Sequence, residues 1–229
     1  MTPQFIQENM MGPNVVLILD EMLPALNVSP DMKILDLGCG RGLSSIHLAQ
    51  KTKTHIIAFD LWIDANDNAG RFKQNDVEEH IFPVHGDILQ KPFAHECFDM
   101  LISIDAYHYF GRNETVLDEH IAPVVKKGGK IALAFPGMKK DFNGDYPPEM
   151  LLSWTSEDLD TMRSIRYWKR IFSASAKTKT LFVREMDCYA QSWQDWLATD
   201  NPYAKGDSKA MNAGADEHMN FIFALLERI

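Results

Sequence analysis

The stretch that decides the fold is ILDLGCGRGLSS, residues 34–45, in which Gly38, Gly40 and Gly42 follow an aspartate and precede a helix-like run. The apolar residues ahead of the first glycine predict a buried strand. Each glycine adds to the entropy lost on folding, so their close spacing indicates a place that needs positions without a Cβ atom. We expect backbone N–H groups and a helix N-terminus to lie bare there, with a nucleotide-like molecule as the common candidate ligand.

The dinucleotide-binding fingerprint G-x-G-x-x-G is the first alternative for this loop. Leu43 stands where the third glycine of that fingerprint is required, so the pattern fails by one residue. The phosphate-binding pattern G-x-x-x-x-G-K-[ST] is absent from the chain. A nicotinamide dehydrogenase is therefore disfavoured.

Strand-like and helix-like segments alternate about 20 to 30 residues apart, which is typical of a doubly wound parallel sheet. Strands are predicted at 32–38, 55–62 and 81–88, from 97 onward, at 128–137 and 178–186, and within 217–229. Helices are predicted at 14–26, 43–52, near 71–80, and at 113–125, 155–172 and 192–200, with a polar loop at 201–216. The ligand site of such a sheet lies at the carboxyl ends of its strands.

Composition narrows the class of protein. The 229 residues carry a formal net charge of −9, which opposes binding to nucleic-acid phosphates and anionic lipid surfaces. No apolar run is long enough for a membrane span, and the N-terminal residues lack the features of a secretory signal. The three cysteines and eight histidines form no zinc pattern. We expect a cytoplasmic protein that has no structural metal and binds no nucleic acid.

DLGCGRG, residues 36–42, resembles the first motif of the class I S-adenosylmethionine-dependent methyltransferases. Four further motifs follow in that family's order: Asp60 after the second strand, GDI at 86–88, FDMLISIDAYHYF at 98–110 and KKGGKIALAF at 126–135. The N-terminal segment and AYHYFG are distantly similar to the cyclopropane fatty acid synthase group. The resemblance implies an α/β fold with a mostly parallel seven-stranded sheet, an N-terminal helical lid and C-terminal cap insertions.

A single domain is expected over residues 1–229. Its lid and first helix would occupy 1–29, the cofactor-binding core 30–137, and the cap segments and last strands 138–229. Segments 138–155 and 188–216 exceed what the minimal fold needs, and they are placed so that they can cover the acceptor site. A small auxiliary core and a homodimer contact remain open as alternatives for them.

The cofactor that the resemblance implies is S-adenosylmethionine. The loop of Gly38, Cys39, Gly40 and Gly42 would contact its methionine portion, Asp36 would help to hold its ammonium group, and Asp60 would accept both ribose hydroxyls. The other implied contacts are Leu61 and Trp62 on the adenine, Asp87 and Ile88 at its amino group, Ser103 and Asp105 near the amino-acid end, and Met11 and Asn14 from the lid. Turn formation, helix capping and packing are the alternatives for these residues.

A sulfonium methyl group is already electrophilic, so the protein mainly has to align a nucleophile and exclude water. If a base is used, the segment SIDAYHYFG at 103–111 is where we expect it. His108 titrates near neutrality and is the candidate base, while Tyr107 and Tyr109 are candidates to surround a cationic amine. Packing is the alternative role for all three.

These expectations together predict methyl transfer to a small-molecule acceptor by in-line displacement. A methyltransferase that acts on a protein or nucleic acid is one alternative, although the N-P-P-Y pattern of enzymes that methylate bases is missing after the fourth strand. A non-catalytic protein that binds S-adenosylmethionine is the other alternative.

Overall fold

A computed structural model describes all of residues 1–229. Its strands are β1 (Lys33–Leu37), β2 (His55–Asp60), β3 (Ile81–His85), β4 (Phe98–Ile104), β5 (Val125–Met138), β6 (Thr178–Glu185) and β7 (Met219–Arg228). They form one sheet in the order β3-β2-β1-β4-β5-β7-β6. The first five strands pair in parallel, and β7 runs antiparallel between β5 and β6. The predicted seven-stranded, mostly parallel sheet is confirmed.

Helices surround this sheet: α1 (Pro3–Asn9), α2 (Val15–Leu26), α3 (Leu43–Thr52), α4 (Ala65–Gln74), α5 (Tyr107–Phe110), α6 (Ser156–Thr161), α7 (Ile165–Ser173), α8 (Tyr189–Leu197) and α9 (Pro202–Asn212). Successive strand residues point to opposite faces. In β1, Ile34 belongs to the apolar cluster that contains Ile46 of α3, while Leu35 belongs to the cluster that contains Trp168 of α7. Apolar layers therefore cover both faces of the sheet, as the apolar strands predict. No helix is both long and apolar enough to cross a membrane.

The strand order reverses between β1 and β4, because the chain proceeds outward from β1 to β3 and then returns to the other side of β1. Connections after these two strands leave the sheet in opposite directions. A crevice forms at such a switch point, outside the carboxyl ends of the strands. The glycine loop after β1 and the segment SIDAYHYFG after β4 both reach it.

Two sequence-based predictions about the cap were wrong. Residues 201–216, expected as a polar loop, contain helix α9, because Pro202 opens the helix and the Asn201 side chain caps it by accepting from the Tyr203 amide. Residues 155–172, expected as one helix, form α6 and α7. The chain breaks between them because Ser164 starts a new helix by accepting from the Tyr167 amide.

Other helix boundaries also differ from the sequence-based prediction, among them that of α8, which begins at Tyr189 rather than residue 192. Helix α4 begins at Ala65 rather than near residue 71, since the Asp64 side chain caps it by accepting from the Asn66 amide. The predicted helix at 113–125 is reduced to one wide helical turn at Leu117–Ile121 and one tight turn at Ala122–Val124. Pro123 lies in the second turn, and it cannot donate the hydrogen bond that would continue a regular helix.

Candidate cofactor site

A cavity of about 290 Å³ opens at the carboxyl edge of β1, β2 and β4, and the segment between α1 and α2 closes over it. Eleven of the residues proposed from the sequence line this cavity: Met11, Gly38, Cys39, Gly40, Asp60, Leu61, Trp62, Asp87, Ile88, Asp105 and Tyr109. The lining comes from five separate parts of the chain. The fold therefore brings together motifs that are up to 98 positions apart, from Met11 to Tyr109.

The glycine loop meets the sequence-based expectation of bare amides only in part. The Gly38 and Cys39 amides both donate to the Phe59 carbonyl, at 2.8 and 3.2 Å. The Gly40 amide donates to Asp60 Oδ2 at 2.8 Å. These three amides bind the end of β2, whereas the Arg41 amide and the first amides of α3 have no partner within the protein. The loop therefore presents to a ligand a surface free of side chains, next to the N-terminus of α3.

Two of the glycines are required by close packing. Gly38 has φ +73°, and a Cβ there would lie 2.3 Å from the Ala106 Cβ. Gly42 has φ +78°, and a Cβ there would lie 2.5 Å from Phe72 Cε1. Both conformations are left-handed and favour glycine. Gly42 faces α4 rather than the cavity, so the structure gives this residue a packing role and not the predicted contact with the cofactor.

Asp60 connects the glycine loop to the turn that follows β2. Besides the Gly40 amide, its carboxylate accepts the amides of Trp62 and Ile63 through Oδ1, at 2.7 and 2.9 Å. Its side chain is buried yet lines the cavity. A carboxylate has about four acceptor sites, so three backbone bonds fix its orientation and leave room for one further donor.

Asp36 lies beneath the cavity and not on its wall. Its Oδ2 accepts the hydroxyls of Ser44 and Ser45 at 2.5 and 2.6 Å, while Oδ1 has no partner. Burial is the largest cause that raises the pKa of Asp36, to about 6, against the lowering effect of the two serine bonds. Ser44 does line the cavity, so Asp36 acts on the site through the Ser44 hydroxyl.

The turns after β2 and β3 form one wall of the cavity. Trp62 is 67% exposed and its ring meets that of Tyr109 edge to face, with centroids 5.7 Å apart. Asp87 caps the short helical turn that follows it, because Oδ1 accepts from the Leu89 amide at 2.8 Å. Its second oxygen has only a long contact, 3.4 Å, with Gln90 Nε2. That oxygen remains available to a donor in the cavity.

The comparisons with known proteins agree with this geometry. A family model described as a methyltransferase domain matches residues 34–129. The methyltransferase GfsG of Streptomyces halstedii is 27% identical over 116 residues, which are 50% of this chain and 41% of that protein. A glycine/sarcosine/dimethylglycine N-methyltransferase of Actinopolyspora halophila is 26% identical over 119 residues, 52% of this chain and 21% of that protein. The solved geranyl diphosphate C-methyltransferase of Streptomyces coelicolor A3(2) has a TM-score of 0.73 at 13% identity, covering 94% of this chain and 80% of that one.

Residues 34–129 therefore match a methyltransferase domain, and over this region the chain is similar to S-adenosylmethionine-dependent methyltransferases. It spans less than half the length of the two curated relatives named above. The matched region begins within β1 and ends just inside β5, so it contains the glycine loop, Asp60, Asp87 and the segment after β4.

The lid over the cavity is held in place by two arginines. Arg41 in the glycine loop donates from Nη1 to the Glu8 carbonyl at 3.0 Å. Arg71 on α4 donates from Nε to Asn9 Oδ1 at 3.0 Å. These bonds fix the end of α1, and Met11 follows it onto the cavity wall.

Asn14 does not line the cavity. It caps α2 by accepting from the Val16 amide at 3.0 Å, and its Nδ2 donates to Asp195 Oδ2 on α8 at 2.7 Å. The structure therefore gives Asn14 the capping role that the sequence left open, together with a bond from the lid to the cap. Ser103 is also fully buried within β4, away from the cavity, and its hydroxyl has no partner.

His108 and Tyr107 are not on the cavity wall, which corrects their expected location. Both side chains are fully buried. Burial lowers the pKa of His108 to about 3, and the positive charge of Arg112 adds to this effect. Tyr107 packs against Trp168 and Phe135 under the sheet edge. Only Tyr109 of the three candidates reaches the cavity, so the geometry gives no support to His108 or Tyr107 as residues that touch the acceptor.

Several lining residues were missed by sequence reasoning, among them Asn9, Gly12, Arg41, Ser44 and Phe110. Ser44 had a usable signal, because it stands in the first turn of the helix that the glycine loop opens. Asn9 and Gly12 had only their membership of the lid segment. Nothing in the sequence places Phe110 on the cavity and Tyr107 in the core, because that choice depends on how α5 packs on β5.

Proposed function

We propose that this chain transfers the methyl group of S-adenosylmethionine to a small-molecule acceptor by in-line displacement. One observation carries the proposal: the cavity joins a side-chain-free glycine loop after β1 to the buried carboxylate of Asp60 after β2.

The residues present fit an adenosyl amino-acid cofactor. Asp60 has acceptor capacity for a ribose hydroxyl, and the free oxygen of Asp87 can accept from the adenine amino group. Leu61 and Trp62 supply apolar surface between them. When bound, S-adenosylmethionine supplies an electrophilic methyl group. The chain then has to orient the acceptor and exclude water, and such positioning can supply roughly 7–11 kcal/mol of the barrier reduction.

Three features support a small acceptor rather than a macromolecule. The lid segment between α1 and α2 lines the cavity, so the space beside the cofactor is limited. The net charge of −9 opposes nucleic-acid substrates. The relatives named above include a glycine/sarcosine/dimethylglycine N-methyltransferase and a geranyl diphosphate C-methyltransferase, and their names describe small-molecule acceptors.

A metabolite extract tests this proposal. The chain is incubated with the extract and with S-adenosylmethionine that carries a ¹³C-methyl group, and the products are analysed by mass spectrometry. We expect a small molecule that gains one labelled methyl group, together with S-adenosylhomocysteine. Label recovered only in protein or nucleic acid would favour the macromolecular alternative. Cofactor binding without any transfer would favour the non-catalytic alternative.

A further inference from the structure

The charged residues of the cavity wall are mostly acidic. Asp60, Asp87 and Asp105 line it, against the single cation Arg41. Arg41 already donates from Nη1 to the Glu8 carbonyl. Because Asp60 and Asp87 are assigned to the cofactor, an acceptor with a phosphate or carboxylate group would meet Asp105 and one partly engaged guanidinium. The cavity favours an acceptor that is neutral or positively charged.

Asp105 differs from the other two acids because its carboxylate has no internal partner. Asp60 accepts backbone amides from both sides, and Asp87 caps a turn. The backbone amide of Asp105 donates to the Ala134 carbonyl at 2.8 Å. Its side chain takes part in no intramolecular hydrogen bond or salt bridge. Its backbone is left-handed, with φ 58°, a sparsely populated state that concentrates at functional sites.

The lid approaches this carboxylate through a glycine. A Cβ on Gly12 would lie only 2.2 Å from Asp105 Oδ2. Any other residue at position 12 would push against the acid. Gly12 therefore leaves space for the Asp105 carboxylate because it has no side chain.

A second acid, on the cap, acts on Asp105 through its charge. Asp207 on α9 accepts the indole N–H of Trp154 at 3.0 Å and that of Trp196 at 2.9 Å. Indole donors bind a carboxylate without neutralising it, and Asp207 has no salt bridge. Burial is the main cause that raises the pKa of Asp105 to about 7, and the charge of Asp207 is the second cause. The charge of Asp207 therefore adds to the negative potential at Asp105, which has no salt bridge of its own.

An aromatic face belongs to the same segment. Tyr109 of α5 follows Asp105 by four residues, lines the cavity and is 49% exposed. An exposed tyrosine ring is suited to an ammonium ion, which is attracted to the face of the ring.

We infer that the methyl acceptor is an amine that enters as an ammonium ion, and that the Asp105 carboxylate takes up its proton. The inference rests on the proposed methyl transfer and names the acceptor class for it. An N–H bond of the ammonium breaks and the proton goes to Asp105, which leaves a lone pair on nitrogen. That lone pair forms the new N–C bond, while the S–C bond breaks and its electrons stay on sulfur. The products are an N-methylated ammonium ion and S-adenosylhomocysteine.

A matched substrate panel tests the acceptor class. Butylamine, N-methylbenzylamine and dimethylaminoethanol are compared with alcohols and carboxylates of the same carbon skeletons. Calorimetry measures their binding to the chain saturated with S-adenosylhomocysteine, and mass spectrometry measures transfer from S-adenosylmethionine. We expect binding and transfer for amines at least tenfold above their matched compounds. Equal or better results for the alcohols or carboxylates, or no binding of any amine, would overturn the inference. Loss of cofactor binding itself would instead contradict the proposed function.

The variant Asp105→Asn keeps the shape of the side chain but cannot take up a proton. We expect kcat/KM for the best amine to fall at least 100-fold at pH 7. In the unchanged chain kcat/KM should rise as pH passes through about 7 and Asp105 ionises. In the variant, kcat/KM should no longer rise near pH 7. It should instead increase at higher pH, in proportion to the fraction of the amine that is unprotonated. The charged and titratable groups around Asp105 are Asp207 from α9, Tyr109 from α5 and, across the cavity, Arg41 and Asp60.

Asp87→Asn is the matched control, because it removes another carboxylate of the same cavity. It should change the affinity for S-adenosylmethionine while the rise of kcat/KM near pH 7 stays. If Asp105→Asn keeps this rise, or loses cofactor affinity with no change in amine binding, the carboxylate serves the cofactor and the inference is wrong.

Discussion

The buried aspartates of this molecule have different roles because their hydrogen-bond partners differ. Asp36 is the residue before the last of β1, Asp60 is the last residue of β2, and both are buried. Asp36 accepts two serine hydroxyls below the cavity, whereas Asp60 accepts three backbone amides at its wall. The first therefore supports the loop from behind, and the second is placed to meet a ligand.

Replacing Asp60 with alanine should lower the affinity for S-adenosylmethionine at least tenfold, about 1.4 kcal/mol. The change removes an acceptor for the ribose and the bonds that hold Gly40 and Trp62. Titration calorimetry measures the effect. Asp99→Ala is the control, because Asp99 also accepts a backbone amide, that of Lys33 at 2.8 Å, but lies off the cavity. Equal affinity in the two variants would contradict the role of Asp60.

The raised pKa of Asp36 predicts a pH dependence of stability. The folded chain holds this proton up to a pH of about 6, whereas the ordinary pKa of an aspartate carboxyl group is 3.8. Below pH 3.8 the stabilising contribution is fully present, and it is lost as pH rises through about 6. The unchanged chain should lose free energy of unfolding between pH 4 and pH 8, and Asp36→Asn should not lose this contribution. The free energy of unfolding of the variant should therefore rise by on the order of 2–3 kcal/mol relative to the unchanged chain over this range. Urea unfolding at both pH values measures this difference. The same change in the free energy of unfolding for the two proteins would contradict it.

At the scale of elements, the glycine loop is the feature that sequence reasoning located most accurately, although its explanation needed correction. The pattern G-x-G-x-G marks its place because few structures need three such residues. The sequence does not show that the amides bond to Phe59 and Asp60, since this depends on how closely β2 approaches the loop.

Gly38→Ala tests whether close packing is the reason for that glycine. Gly128 is a matched control, because its φ of +77° is similar to the +73° of Gly38 but a Cβ there has no neighbour within 4 Å. Gly128→Ala should lower the free energy of unfolding by only about 1 kcal/mol, because alanine is strained in the left-handed conformation. Gly38→Ala should cost about 1–3 kcal/mol more from the clash with Ala106 and should weaken cofactor binding. Equal losses in urea unfolding would show that the contact with Ala106 is unimportant.

The cap elements were harder to predict from the sequence. Helix α9 is polar and contains Gly206, so local propensity favours a loop. It forms because the tertiary contacts of Ala204, Ala210 and Asp207 stabilise it, and these residues are buried against the cap or bonded to its tryptophans. Such contacts join distant parts of the chain and leave no periodic signal.

For the whole molecule, the order of motifs along the chain was sufficient to predict the sheet and the edge on which the cavity lies. Apolar strands that alternate with helices determine a doubly wound topology with few alternatives. The side chains of the segment after β4 could not be assigned in the same way. Asp105, Tyr107, His108 and Tyr109 are nearly adjacent, yet two face the cavity and two face the core.

The most direct test of the central claim is calorimetric titration of the chain with S-adenosylmethionine, with NAD as the comparison ligand. We predict one binding site per chain with a dissociation constant on the order of micromolar for S-adenosylmethionine, a matching rise in thermal stability, and no binding of NAD. A folded chain that shows no heat of binding with millimolar S-adenosylmethionine, or that binds NAD more tightly, would contradict the account.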